Sequence, residues 1–131
     1  MHMKYNSKVI YGYNIGNEIL YQVSGRALLN IKRVSGMSSK VHLIKLRKTM
    51  AELFLYLLKN ATKRVVYDDE ILTQIWDKHG LKGSHHRLWQ VMKDLKIKVI
   101  EIGLTEDFII RVNGKGYLLK HKVILPLCVS E

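Results

Sequence analysis

Apolar residues recur at two periods along this chain, and the switches between them mark its elements. From residue 9 to 33 the runs are short and β-prone: Val9-Ile10-Tyr11, Ile19-Leu20-Tyr21 and Ala27-Leu28-Leu29-Asn30-Ile31. Gly12, Gly16, Asn17 and the Ser24-Gly25 pair punctuate them with turn signals. After a polar loop over Ser35 to Ser39, Val41-His42-Leu43-Ile44 closes a predicted small antiparallel sheet. Helical spacing then takes over. Leu46, Met50, Leu53, Phe54, Leu57 and Leu58 share one face of a first helix that ends near Asn60. A second helix is expected after Tyr67, with Asp68 or Asp69 as its cap. It buries Ile71, Leu72, Ile75 and Trp76 and stops before Gly80. The stretch from Lys78 to Gly83, with its two glycines, leads into the third helix.

That third helix, from about Ser84 to Ile102, carries Leu88, Met92, Leu95, Val99 and Ile102 on one face. Ser84 suits the N-cap, and Gly103 stands where a left-handed C-cap residue belongs. Propensity argues for a strand at Ile97, Val99, Ile100 and Ile102, which are β-branched. Period-two alternation fails, however, because Glu101 would share a face with Ile97 and Val99. Helix is the better reading, and it leaves Ile97 and Ile100 against the wing or a partner rather than the main core. Phe108 to Val112, a turn at Asn113-Gly114-Lys115-Gly116, and Tyr117-Leu118-Leu119 predict a hairpin, since Asn-Gly suits its tight turn.

Composition sharpens the picture. A length of 131 residues fits one domain with a core of its own, and 47% hydrophobic residues argue against a disordered arm. The net charge of +11 favours a polyanionic partner over mere solubility. Cys128 is the sole cysteine, so no internal disulfide forms, and a reducing compartment and a bystander thiol are expected. No signal peptide is evident. Val123 to Val129 contains Pro126 and is too short to span a bilayer; it reads as a final strand or as a linker. Residues 1–8 read as an N-terminal extension or cloning remnant, 9–122 as the folded domain, and 123–131 as a tail or linker.

Enzymatic readings fare poorly. Gly114-Lys115-Gly116 lacks P-loop spacing, and no Ser or Thr follows its lysine. His79, His85 and His86 cluster, but the single cysteine is remote and no HExxH pattern occurs. The acids Asp68-Asp69-Glu70 are accounted for by the positive end of a helix dipole. No nucleophile elbow is present. No catalytic residue, metal, cofactor or small-molecule substrate is therefore expected. The outward face of the third helix offers something else: His86, Gln90 and Lys93, flanked by Arg87 and Trp89, beside a hairpin tipped with Lys115. A basic helix with hydrogen-bonding groups outward suits nucleic acid.

The order of elements, together with four segments, resembles the winged-helix effector domain of OmpR/PhoB-type regulators. Leu53 to Leu58 is similar to the family's "LLxLL" first helix, and Arg64-Val65-Val66-Tyr67-Asp68-Asp69-Glu70-Ile71-Leu72 to its "RVVSREEL" entry into the second. Ile75-Trp76 matches a hydrophobic-tryptophan pair. Ile110-Arg111-Val112-Asn113-Gly114-Lys115-Gly116-Tyr117 resembles the wing signature "ITVRGVGY". Within the family, Leu88 to Leu95 looks closest to the one-component CadC/ToxR-like branch, which agrees with the lack of a receiver domain ahead of it. Arg111 stands at a usual threonine and Asn113 at a usual arginine.

The resemblance implies an α+β fold: an N-terminal antiparallel sheet, a three-helix core and a C-terminal β-hairpin wing. It also implies a bacterial, cytoplasmic, sequence-specific regulator of transcription that binds double-stranded DNA, with the third helix in the major groove. Gln90 then suits adenine, Arg87 guanine, and His86 a base edge or phosphate. Lys93 and Lys96 suit phosphates. Trp89 either packs beneath the wing or touches a thymine methyl, with core packing preferred. Ser84 at the helix start completes the helix side, and Arg111, Asn113 and Lys115 put the wing on the backbone or in the minor groove. Two copies on tandem half-sites are expected, and a membrane anchor only if the chain is part of a longer inner-membrane regulator. A different class, a winged helix that serves as a protein-interaction adaptor without a DNA target, is supported by Ile97 and Ile100 and opposed by the basic helix face.

Overall fold

The computed structural model describes residues 8–33, 40–121 and 123–130. In chain order the elements are β1 (Lys8–Ile15), β2 (Ile19–Gln22), β3 (Ala27–Asn30) and β4 (Leu43–Lys45), then α1 (Lys48–Asn60). They continue with β5 (Val66–Tyr67), α2 (Asp68–Ile71), α3 (His85–Ile102), β6 (Ile109–Val112), β7 (Gly116–Leu119) and β8 (Ile124–Ser130). The loop expected over Ser35 to Ser39 lies outside the described residues, as does the extension expected over residues 1–8 apart from Lys8, which opens β1. No described helix is long and apolar enough to cross a membrane.

The strands form two antiparallel sheets, one in the order β4-β3-β2-β1-β8 and a smaller one in the order β5-β7-β6. Of the two readings left open for Val123 to Val129, a final strand or a linker, the structure forms the strand. Residues 124–130 pair with β1 from Ile15↔Ile124 to Lys8↔Ser130, with one bulge between Ile10 and Gly12. Hydrogen bonding along that edge integrates the segment into the sheet. Two-residue β5 is also additional to the sequence reading; it ties the entry of α2 to the hairpin through Val66↔Tyr117 and Tyr67↔Gly116.

Between the large sheet and the helices lies one hydrophobic core. Tyr13, Ile15, Ile19, Tyr21 and Leu28 from the sheet meet Leu53, Phe54 and Leu57 of α1, the apolar stripe of α3, and Phe108 and Tyr117 from the hairpin. This is a winged helix, as the resemblance implied. The second helix is less regular than expected. After the four residues of α2 the backbone widens into a π-helical turn over Leu72–Trp76 and tightens into a 3-10 turn over Asp77–His79, with left-handed Gly80 ending it. Its cap is Tyr67 without a side-chain hydrogen bond, so Asp68 and Asp69 are first-turn acids instead of caps. Asp68 is needed elsewhere.

Two polar devices fix the helices. Asn30 is 1% exposed. Its Nδ2 donates to the Ile102 carbonyl at 2.8 Å, while its Oδ1 accepts from the backbone N–H groups of Lys32 and Arg33. The sheet thus satisfies a carbonyl that the end of α3 would otherwise leave unpaired. At the start of α2, Arg64 donates to both carboxylate oxygens of Glu70, at 2.9 and 2.5 Å, and the Tyr56 hydroxyl donates to the same carboxylate. The Arg64 hydrogen bonds, against some desolvation, hold the Glu70 carboxyl down to about 2.

A carboxyl lowered on folding stabilises the protein above its unfolded pKa, about 4.3 for glutamate. That contribution fades as pH falls from about 5 toward 2. Because the Arg64 side chain is half exposed, the effect is modest. Glu70→Gln is expected to flatten the acid limb of a melting-temperature profile taken from pH 6 to 2.5. An unchanged limb would remove Glu70 from the acid sensitivity.

Candidate nucleic-acid interface

Helix α3 supplies the larger wall of the site. The Ser84 hydroxyl accepts from the Arg87 backbone N–H at 3.0 Å, so its side chain is the N-cap. At the other end Gly103 has φ +124, a conformation that side chains disfavour. Burial of Leu88, Met92, Leu95, Val99 and Ile102 sets the rotation of the helix. His86, Gln90, Lys93 and Ile97 therefore project away from the core, and all are exposed. By the same periodicity Arg87 shares a flank with Asp94 and Lys98, away from the wing.

The hairpin supplies the second wall. Asn113 and Gly114 have φ of +51 and +65, and the Lys115 N–H donates to the Val112 carbonyl at 3.0 Å. Positive φ at two consecutive central residues is what a tight hairpin turn with the strand twist requires. This turn exposes Lys115 at the tip. Arg111, expected to reach outward, is held instead. Its guanidinium donates to both Asp68 carboxylate oxygens at 2.6 and 2.8 Å and to the Gly114 carbonyl at 2.6 Å. It also lies 4.6 Å from the Tyr117 ring centroid. The Asp68 hydrogen bonds raise the Arg111 pKa further. With the Asp68 N–H donating to the Lys115 carbonyl at 2.9 Å, the wing is pinned to the start of α2.

Between these walls runs a cleft of about 920 Å3. It brings together Trp89, Lys93, Lys96, Arg111 and Lys115 of the expected site, while Ser84, His86, Arg87, Gln90 and Asn113 stand outside its lining. Trp89 departs from the sequence preference for core packing: it is 54% exposed. Leu88 occupies the buried position beside it, and one residue is a 100° turn of the helix. The Trp89 ring stacks with His86 at 6.1 Å between centroids and lies under the Lys93 ammonium at 5.1 Å. Lys96 is half-buried over Tyr117, at 5.8 Å. Burial first, then the nearby Arg111 charge, pulls its pKa below the ordinary lysine value.

Of the cleft's two acids, Asp68 is paired with Arg111, while Asp69 is exposed and lies 3.4 Å from the His85 imidazole. Lysine therefore dominates the charge this surface presents. Asp68 went unrecognised in the sequence as a partner of Arg111, because the two are 43 positions apart and acids at a helix start have their own explanation. Tyr67, which also lines the cleft and is 53% exposed, carried no signal beyond its place before α2.

The family model described as "Transcriptional regulatory protein, C terminal" matches residues 40–119, more than half of the chain. Among solved structures, the chain is similar to the DNA-binding domain of Escherichia coli CadC, at 18% identity and a TM-score of 0.67. That likeness covers 91% of this chain and 99% of the other. It is also similar to the C-terminal domain of the nisin resistance regulator NsrR, a lantibiotic response regulator, at 24% identity and a TM-score of 0.53. There the coverage is 85% of this chain and 94% of the other. At these identities the likeness is one of fold. No curated protein matches the chain.

Proposed function

The chain belongs to the transcriptional regulatory protein C-terminal family, a family of DNA-binding regulatory domains, and from that membership we propose a sequence-specific regulator that reads duplex DNA with α3 in the major groove. The wing then lies on the adjacent backbone or in the minor groove. One observation carries the reading: the exposed groups of α3 and the Lys115 tip bound a lysine-lined cleft in which Asp68 is already paired with Arg111. Three lysines on the two walls then meet a polyanion against a single exposed carboxylate, Asp69.

Roles follow from position. Gln90 projects from the outward face and suits bidentate contact with adenine. His86 reaches a base edge or phosphate, and Lys93, Lys96 and Lys115 meet phosphates. Arg87, on the flank away from the wing, suits guanine or backbone on that side. Asn113 and Arg111 shape the wing turn, and Ser84 caps the helix that enters the groove. Tandem half-sites hold two copies, which titration onto one and then two half-sites reads. The domain acts in the cytoplasm, alone or as part of an inner-membrane regulator.

Gln90→Ala is expected to relax selection at one base pair, losing about 1–3 kcal/mol of discrimination there. Lys115→Ala should instead weaken all sequences alike and reduce the salt slope by about one. Selection from random duplexes, followed by titration of the recovered sites, measures both. An unchanged site profile for Gln90→Ala would remove it from base reading.

A further inference from the structure

Helix α3 exposes apolar side chains where a DNA-binding surface ordinarily carries polar ones. Trp89 is 54% exposed, Ile97 49% and Ile100 43%, and all three line the cleft beside Lys93 and Lys96. Ile97 follows Trp89 by eight residues, with Lys93 midway, so the three lie close to one stripe of the helix. Ile97 points almost directly away from the buried face, and no described core residue covers it. Charge identifies the occupant. Lys93, Lys96 and Lys115 surround these residues, and of the two acids in the lining Asp68 is paired with Arg111. A second copy would bring the same cations and repulsion; a polyanion would not.

On a duplex, the apolar feature that the major groove presents is the thymine 5-methyl group. We infer that Trp89 and Ile97 each cover a thymine methyl, which makes the preferred site one that carries two thymines at a fixed separation. This rests on the proposal that α3 enters the major groove. Eight residues of helix span about 12 Å, so the two thymines fall within roughly three to four base-pair steps of about 3.4 Å each. The stripe would then contribute specificity while the lysines contribute affinity.

Replacing thymidine with deoxyuridine deletes that methyl and leaves the hydrogen-bonding pattern intact. Once a site has been selected from random duplexes, each thymidine is replaced singly and the wild-type chain is titrated. Two positions should lose about three- to fivefold in affinity, the value of one buried methyl-sized group. Ile97→Ala should abolish the sensitivity at one of them and Trp89→Ala at the other; both residues are exposed, and the wild-type series needs no variant. Binding to a selected site with no deoxyuridine sensitivity would overturn the inference and leave the major-groove reading standing. A profile unchanged by Ile97→Ala, with loss only of the gain from a second half-site, would also overturn it by assigning Ile97 to a neighbouring copy. Absence of duplex binding at low salt would overturn both.

Discussion

Raising monovalent salt from 50 to 200 mM is expected to weaken duplex binding by on the order of a hundredfold. The net charge is +11, but what sets the slope is the number of cations that meet phosphates. Arg87, Lys93, Lys96 and Lys115 are available as phosphate ligands, whereas Arg111 is already neutralised by Asp68. About four displaced counterions give a slope near −3.6 in log K against log salt, and a fourfold rise in salt then costs roughly 150-fold. If Arg111 left Asp68 to bind a phosphate, the slope would steepen by about 0.9. Arg111→Gln therefore separates the two cases. It should leave the slope unchanged while lowering affinity through a less ordered wing. Titration at four or five salt concentrations gives the slope directly, and binding that ignores salt would rule out the interface described for α3 and the wing.

Periodicity made most of the scaffold legible. The apolar stripe of α3 has all five of its residues buried, and the conflict from its β-branched residues resolved toward helix because burial, not propensity, decides a packed segment. The hairpin was legible because Asn-Gly names its turn. What stayed hidden depends on residues far apart in the chain. Asn30 reaches Ile102 across 72 positions, and Asp68 reaches Arg111 across 43; no local pattern encodes such pairs. Strand β8 was ambiguous because Ile124-Leu125-Pro126-Leu127 is apolar on both faces and carries a proline, which an edge strand tolerates. The exposure of Trp89 was misjudged from residue type, when the rotation set by Leu88 and Met92 already placed it outside the stripe.

Phe54→Ala should lower stability by about 3–5 kcal/mol. The Phe54 ring is fully buried in α1. It meets the Tyr21 ring edge-on at 5.0 Å and 86°, and the Phe108 ring at 6.4 Å. One side chain thus joins the N-terminal sheet, the first helix and the segment that leads into β6. Removing it loses the transfer free energy of the ring and leaves a cavity that three elements, each held by its own hydrogen bonds, can only partly fill. Domains of this kind are stable by only about 5–15 kcal/mol. A melting temperature lowered by roughly 10–20 °C is therefore expected. Leu43→Ala serves as the control. That residue is 52% exposed on β4, and truncating it should change stability by about 0.5 kcal/mol or less. The consequence reaches the wing, because Phe108 directly precedes β6 and loses a packing partner. Phe54→Ala should accordingly raise hydrogen exchange in β6 and β7 as well as in α1. A variant that melts within a few degrees of the parent would show that Tyr21 and Phe108 can close the gap between them, and that the sheet and the wing are coupled by another route.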